Sequence, residues 1–178
     1  MGYVFIHASP PCQRHTVYNN KPKIAESTQQ KYEDLLEPTR ELLEKTGLPY
    51  VIENVPRAPL RDPVQLCGSM FDGRGTYDIQ RHRRFETNWP LEAPSKCDHS
   101  IWPPNRYPGG RSLIRTGNSK TPVRKTIEIG SWDIPLNVQK IAMGIDWDVT
   151  VRELSEAIPP AYTEYIGREW LSSQEAVQ

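Results

Sequence analysis

A cysteine in the run Ala8-Ser9-Pro10-Pro11-Cys12-Gln13 and a carboxyl group in Glu53-Asn54-Val55 are the two side chains of this sequence best suited to act together on a substrate. A thiolate is a strong nucleophile, and a proline-stiffened loop leaves the backbone little freedom, so the sulfur at residue 12 can be aimed. A cysteine after two prolines is, taken alone, more often a small buried apolar residue than a nucleophile. A carboxyl group converging on the same substrate changes that reading. Together they suit addition to an electron-poor conjugated ring. Carbon 5 of cytosine, for instance, does not attack a methyl sulfonium unaided. A thiolate must first add at C6 while an acid protonates or hydrogen-bonds N3, and the ring then reacts as an enamine at C5.

For the pair to meet, the fold must bring residues 12 and 53 to one edge. Tyr3 to His7 is a short apolar, β-rich run that stops at Ser9-Pro10-Pro11, as a buried strand ending in a rigid loop does. Leu35, Leu36, Leu42 and Leu43 then recur at helical spacing, with Pro38 suited to a first turn and Gly47 to the C-terminal stop. Pro49 to Val55 reads as a second buried strand, closed by Pro56. Strand, helix and strand in this order predict a βαβ unit with parallel strands, whose ligands lie outside the carboxyl ends of the strands. Cys12 and Glu53 both fall at such ends.

From Phe71 to Asp133 the periodicity gives way to Gly, Pro and basic residues, with Trp102-Pro103 and Gly109-Gly110 marking turns, and an irregular insert is expected there. Apolar periodicity returns at Val138 to Trp147, and a last helix is expected from Pro160 to about Leu171. The 22 basic and 22 acidic residues cancel overall, but they are not evenly spread. Between Arg74 and Lys125 stand eleven Lys/Arg against four Asp/Glu, a net of +7 that leaves −7 on the rest. Such a stripe suits phosphate, and aromatics interleaved with its arginines suit a strand of nucleic acid; a solvated basic loop is the alternative. No apolar run is long enough for a bilayer span, and the N-terminus lacks a signal-peptide pattern, so a cytoplasmic location without a membrane partner is expected. The three cysteines, 12, 67 and 97, make a disulfide framework improbable on spacing and number.

Pro10-Pro11-Cys12-Gln13 followed some forty residues later by Glu53-Asn54-Val55 resembles the catalytic pair of the cytosine-C5 DNA methyltransferases. Arg81-His82-Arg83-Arg84-Phe85 is similar to that family's downstream basic motif, with Arg81 and Arg83 in the paired positions and Gln80 one residue closer than the usual glutamine. Met143-Gly144-Ile145-Asp146-Trp147 resembles its Met-Gly segment, and Ala157-Ile158-Pro159-Pro160 its last motif. The resemblance implies an α/β fold: one domain over residues 1–178 with an incomplete Rossmann-like methyltransferase sheet, its core in 1–70 and 136–178 and a basic, DNA-facing insert at 71–135. It implies that Cys12 is the nucleophile, Glu53 the acid/base partner, and Arg81 and Arg83 the holders of the base. Gln13, Arg84, Arg111, Arg115 and Lys120 are expected against double-stranded DNA. S-adenosylmethionine is the implied cofactor, walled by Pro10, Pro11, Ile158 and Pro159.

Family members open with a Phe-x-Gly-x-Gly type turn that holds this donor, whereas residue 1 here lies immediately before the cysteine-bearing strand. The expectation is therefore a component that binds the donor poorly alone and is completed by a separately encoded cofactor-binding subunit, a second copy or an upstream segment. The rival expectation is a catalytically incomplete DNA-binding remnant. A thiolate enzyme acting on a free nucleotide is a third, for which the basic stripe has no use. A thiol hydrolase built on Cys12 and His15 lacks a motif-placed orienting residue. Cys67, Cys97 and His99 could bind zinc but lack the paired spacing of zinc sites, so no metal site is predicted.

Overall fold

A computed structural model describes residues 4–16, 31–71, 77–99, 125–132 and 134–175. They form a mixed α/β structure whose main sheet is open and four-stranded, with strands β1 (Ile6–Ala8), β2 (Tyr50–Asn54), β3 (Val64–Leu66) and β5 (Arg83–Thr87) in the order β1-β2-β5-β3. A two-stranded parallel ribbon pairs β4 (Tyr77–Asp78) with β6 (Lys125–Thr126). Four helices follow in chain order: α1 (Leu36–Thr46), α2 (Leu136–Met143), α3 (Val151–Glu156) and α4 (Pro160–Glu175). The chain divides into two compact units, one of residues 1–65 and 82–93, the other of residues 66–81 and 94–178. Arg111, Arg115 and Lys120 lie outside the described residues.

In the first unit the expected βαβ is present. β1 and β2 are parallel, with Ile6, His7 and Ala8 opposite Tyr50, Val51 and Ile52. Every residue of β2 is buried, as a central strand covered on both faces requires. β5 joins its other edge antiparallel, with Glu53 opposite Phe85 and Asn54 opposite Arg84. The sheet is thus mixed, and residues 83–87, expected within an irregular insert, are a strand of it. Period-two alternation puts His7, Val51, Glu53, Phe85 and Arg83 on one face, and Ile6, Ala8, Tyr50, Ile52 and Glu86 on the other.

Helix α1 covers the second face, packing Leu36 and Leu43 into a core with Tyr50, Ile52 and Ala58. Leu42, read from spacing as part of that stripe, is 65% exposed. Helix α1 ends where Gly47 takes the left-handed conformation at φ 65°, which glycine adopts without a Cβ clash. Under this helix Arg40 is buried, its guanidinium gripping Glu86 through Nε at 2.6 Å and Nη2 at 2.7 Å.

The second unit is built on Ile79, Ile127, Ile134, Ala142, Met143, Ile145 and Leu154. Buried Gln139 accepts from the Gly130 amide and donates to the Ser131 and Ile134 carbonyls, satisfying the loop that enters α2. Thr150 and Glu153 form a capping box at the start of α3. Helix α4 carries Tyr162, whose ring stacks on Phe71 with centroids 5.1 Å apart. It starts at Pro160 as expected and runs to Glu175, beyond the Leu171 anticipated from the sequence. No helix among the described residues is long and apolar enough to cross a membrane.

Candidate active site

The junction between β1, β2 and β5 sets the geometry around residues 12 and 53. Because β1 and β2 run parallel and in register, the Ser9–Gln13 loop and the end of β2 leave the sheet side by side. Asn54, 1% exposed, spans them: its amide nitrogen donates to the Pro10 carbonyl at 3.0 Å, and its amide oxygen accepts from the Val55 N–H at 2.9 Å. Both ends of the side chain are thereby satisfied, so the loop is fixed two residues before Cys12 by the residue directly after Glu53.

On the far side of the cysteine the chain folds into a turn. The Cys12 carbonyl accepts from the His15 N–H and from Thr16 Oγ1, each at 2.9 Å. His15 Nε2 lies 3.3 Å from Asp34 Oδ1 and Arg14 Nε 3.6 Å from Asp34 Oδ2, while Asp34 Oδ1 also accepts from the Leu36 N–H at the start of α1. Cys12 is a free, half-buried thiol held between these two anchors, with Gln13 exposed beside it. Pro10 is buried and Pro11 exposed.

Glu53 is 7% exposed, and its carboxylate meets Arg83 Nε at 3.0 Å. The register explains the contact: Glu53 faces Phe85, and Arg83 is the diagonal neighbour on the same face. Arg83 also donates from Nη1 to the His82 carbonyl at 2.8 Å, which holds the guanidinium in place. Arg84 is half-buried on the opposite face of β5. The first unit therefore collects a thiol, a buried carboxylate and a guanidinium at the carboxyl ends of two parallel strands. Such a set can supply a nucleophile, hold or deliver a proton, and hold a planar polar ring.

The remaining expected residues belong to the second unit. The Arg81 guanidinium donates to the Ser155 carbonyl at the end of α3, and its own carbonyl accepts from Tyr162 Oη at 2.7 Å. Ile158 is half-buried and Pro159 buried, with the Pro159 carbonyl accepting from the Tyr162 N–H at 2.9 Å. The four residues expected to wall the donor thus offer apolar surface and carbonyls, of which those of Pro10 and Pro159 are engaged within the fold. Proline and isoleucine side chains do not themselves supply the N–H donors and acidic partners that the ribose and carboxylate of a sulfonium nucleoside need. No methyl-transfer step follows from them.

Two contributors went unassigned in the sequence. Asn54 is visible as part of Glu53-Asn54-Val55 but without its clamping role, and Asp34 carries no signal toward the site, since Arg14 and His15 lie some twenty residues before it. Comparison of the chain with protein-family models, with curated proteins and with solved structures gave no match.

Proposed function

We propose that this chain performs the base-activating half of cytosine C5 methylation in double-stranded DNA. The observation that carries the reading is the Asn54 clamp, which ties the Cys12 loop to the strand end bearing Glu53. It makes the thiol and the carboxyl one local structure rather than two motifs. The resemblance of both motifs, and of Arg83 between them, to the cytosine-C5 methyltransferases supports the same reading.

The target cytosine leaves the base stack so that its ring can reach the loop. The Cys12 thiolate adds to C6 and forms the S–C6 bond. The C5=C6 electron pair moves to C5=C4, and the C4=N3 pair moves to N3, which takes the proton of the Glu53 carboxylic acid. Arg83, against the Glu53 carboxylate, positions that carboxyl group. The product is an enamine, nucleophilic at C5. S-adenosylmethionine is the methyl donor of the complete reaction, presented by a cofactor-binding partner subunit.

Activation has a signature that needs no donor. The enamine takes a solvent proton at C5, loses the original hydrogen to a base, and expels Cys12. Duplex DNA tritiated at cytosine C5 is therefore expected to release tritium into water in the presence of the full chain, and Cys12→Ser is expected to stop the release. Glu53→Gln is expected to slow it by about 10²–10⁴, the range over which general acid–base groups act. Release at the same rate with wild type and Cys12→Ser would remove the nucleophile assignment.

A further inference from the structure

The second unit holds a cluster that the activation chemistry does not use. Cys97 Sγ and Cys67 Sγ lie 2.9 Å and 3.3 Å from His99 Nε2, and the donor atoms of the three residues all lie within 4.8 Å of one another. Cys67 is fully buried, Cys97 and His99 are half-buried, and neither cysteine is joined in a disulfide among the described residues. From these distances and this chemistry we infer that Cys67, Cys97 and His99 bind a structural zinc ion.

The elements that build the cluster hold it in place. Cys67 follows β3 and opens a 3-10 turn, Gly68–Met70, in which the Met70 N–H bonds back to the Cys67 carbonyl at 3.0 Å. Gly68 is obligatory there, because a Cβ would fall 2.1 Å from the Ile79 carbonyl oxygen. Cys97 and His99 are two apart on a segment without helix or turn, and alternate residues of an extended chain point to one side. Ser69 Oγ lies 3.3 Å from Cys67 Sγ and 3.6 Å from Cys97 Sγ, within reach of either sulfur as a hydroxyl donor that orients a thiolate around a metal.

Thiolate and imidazole are the donors zinc prefers, at about 2.3 Å and about 2.0–2.1 Å, so a tetrahedral ion separates neighbouring donors by roughly 3.5–3.8 Å. The two sulfur–imidazole distances, 2.9 Å and 3.3 Å, are somewhat shorter than that spacing, so the side chains open slightly to admit the ion. Carboxylate-seeking cations such as magnesium and calcium find no oxygen ligand in this set. The thirty residues from Cys67 to Cys97 hide the site from any reading based on paired spacing, while a bound ion would fasten the two segments together.

The test uses the full chain, purified under reducing conditions, stripped with a chelator and titrated with cobalt(II), whose absorption reports both geometry and thiolate ligation. One cobalt per chain is expected, with thiolate-to-cobalt charge-transfer bands and the strong visible bands of a tetrahedral site, all abolished by zinc. Cys97→Ser is expected to remove about half of the charge-transfer intensity, His99→Ala to lower affinity at least tenfold, and Cys12→Ser to change nothing. Should a variant fail to fold, the wild-type chain alone decides. A folded wild-type chain that takes up no cobalt, gives bands without thiolate character, or shows by mass a Cys67–Cys97 disulfide under these conditions overturns the assignment.

Discussion

At the scale of single residues, Asn54 matters to the proposed chemistry without taking part in it. Its two hydrogen bonds, to the Pro10 carbonyl and from the Val55 N–H, tie the loop two residues before Cys12 to the end of β2. Asn54→Asp keeps an acceptor for Val55 but loses the donor for Pro10 and sets a carboxylate against a carbonyl. A misplacement of about 1 Å at a reacting group costs about 10²-fold in rate. The expected result is tritium release from cytosine C5 lowered by about that factor, while alkylation of Cys12 by a small reagent stays near the wild-type rate. If both rates fell together, the clamp would be acting on the reactivity of the thiol and not on its position.

At the scale of elements, the first unit rests on β2, buried along its whole length, and on the pairing of α1 with the sheet through Arg40 and Glu86. Burial is the largest influence on the Glu86 carboxyl and pushes it up. The hydrogen bonds from the Arg40 guanidinium and the Arg61 N–H outweigh it, so the group is held below its ordinary range. A carboxyl lower in the folded than in the unfolded chain contributes stability above its unfolded value, and that contribution is lost as pH falls through the folded one. The wild-type chain is therefore expected to lose stability on acidification below about pH 4, where carboxylates begin to protonate. Arg40→Leu leaves a buried carboxylate unpaired, at a cost of about 3–5 kcal/mol near neutral pH. Denaturant unfolding against pH checks this: the gap between variant and wild type should narrow as pH drops. A gap that is constant down to pH 3 would mean that lost packing, and not charge, dominates.

The same strands show what the sequence disclosed. β1, β2, α1 and the helix at Pro160 were legible because apolar spacing, prolines and Gly47 all agree with their environments. β5 was not, since Arg83-Arg84-Phe85-Glu86-Thr87 reads as a charged surface run. Its charges are satisfied inside the fold instead, Arg83 by Glu53 and Glu86 by Arg40, across separations of thirty and forty-six residues that no local pattern reveals. The candidate site divides in the same way. Cys12 and Glu53 stood out by type and spacing, whereas the clamp of Asn54, the Asp34 contacts and the thiol–imidazole cluster depend on contacts made only on folding.

At the scale of the whole molecule, the proposed function is that of a device that reaches a cytosine in duplex DNA and raises its reactivity, with the methyl group coming from elsewhere. In that function the basic stripe between residues 74 and 125 supplies the affinity for phosphate. The step on which that function turns is a covalent bond between Cys12 and C6 of a base. The most direct measurement places pyrimidin-2-one at the target position of duplex DNA, because loss of the 4-amino group leaves C6 more open to a thiolate and lets the adduct persist without a donor. After incubation with the full chain, denaturing electrophoresis and peptide mapping by mass are expected to find one DNA-linked species, attached through Cys12 and absent with Cys12→Ser. A chain that binds the duplex yet forms no adduct, or an adduct mapped to Cys67 or Cys97, would overturn the assignment of Cys12 as nucleophile.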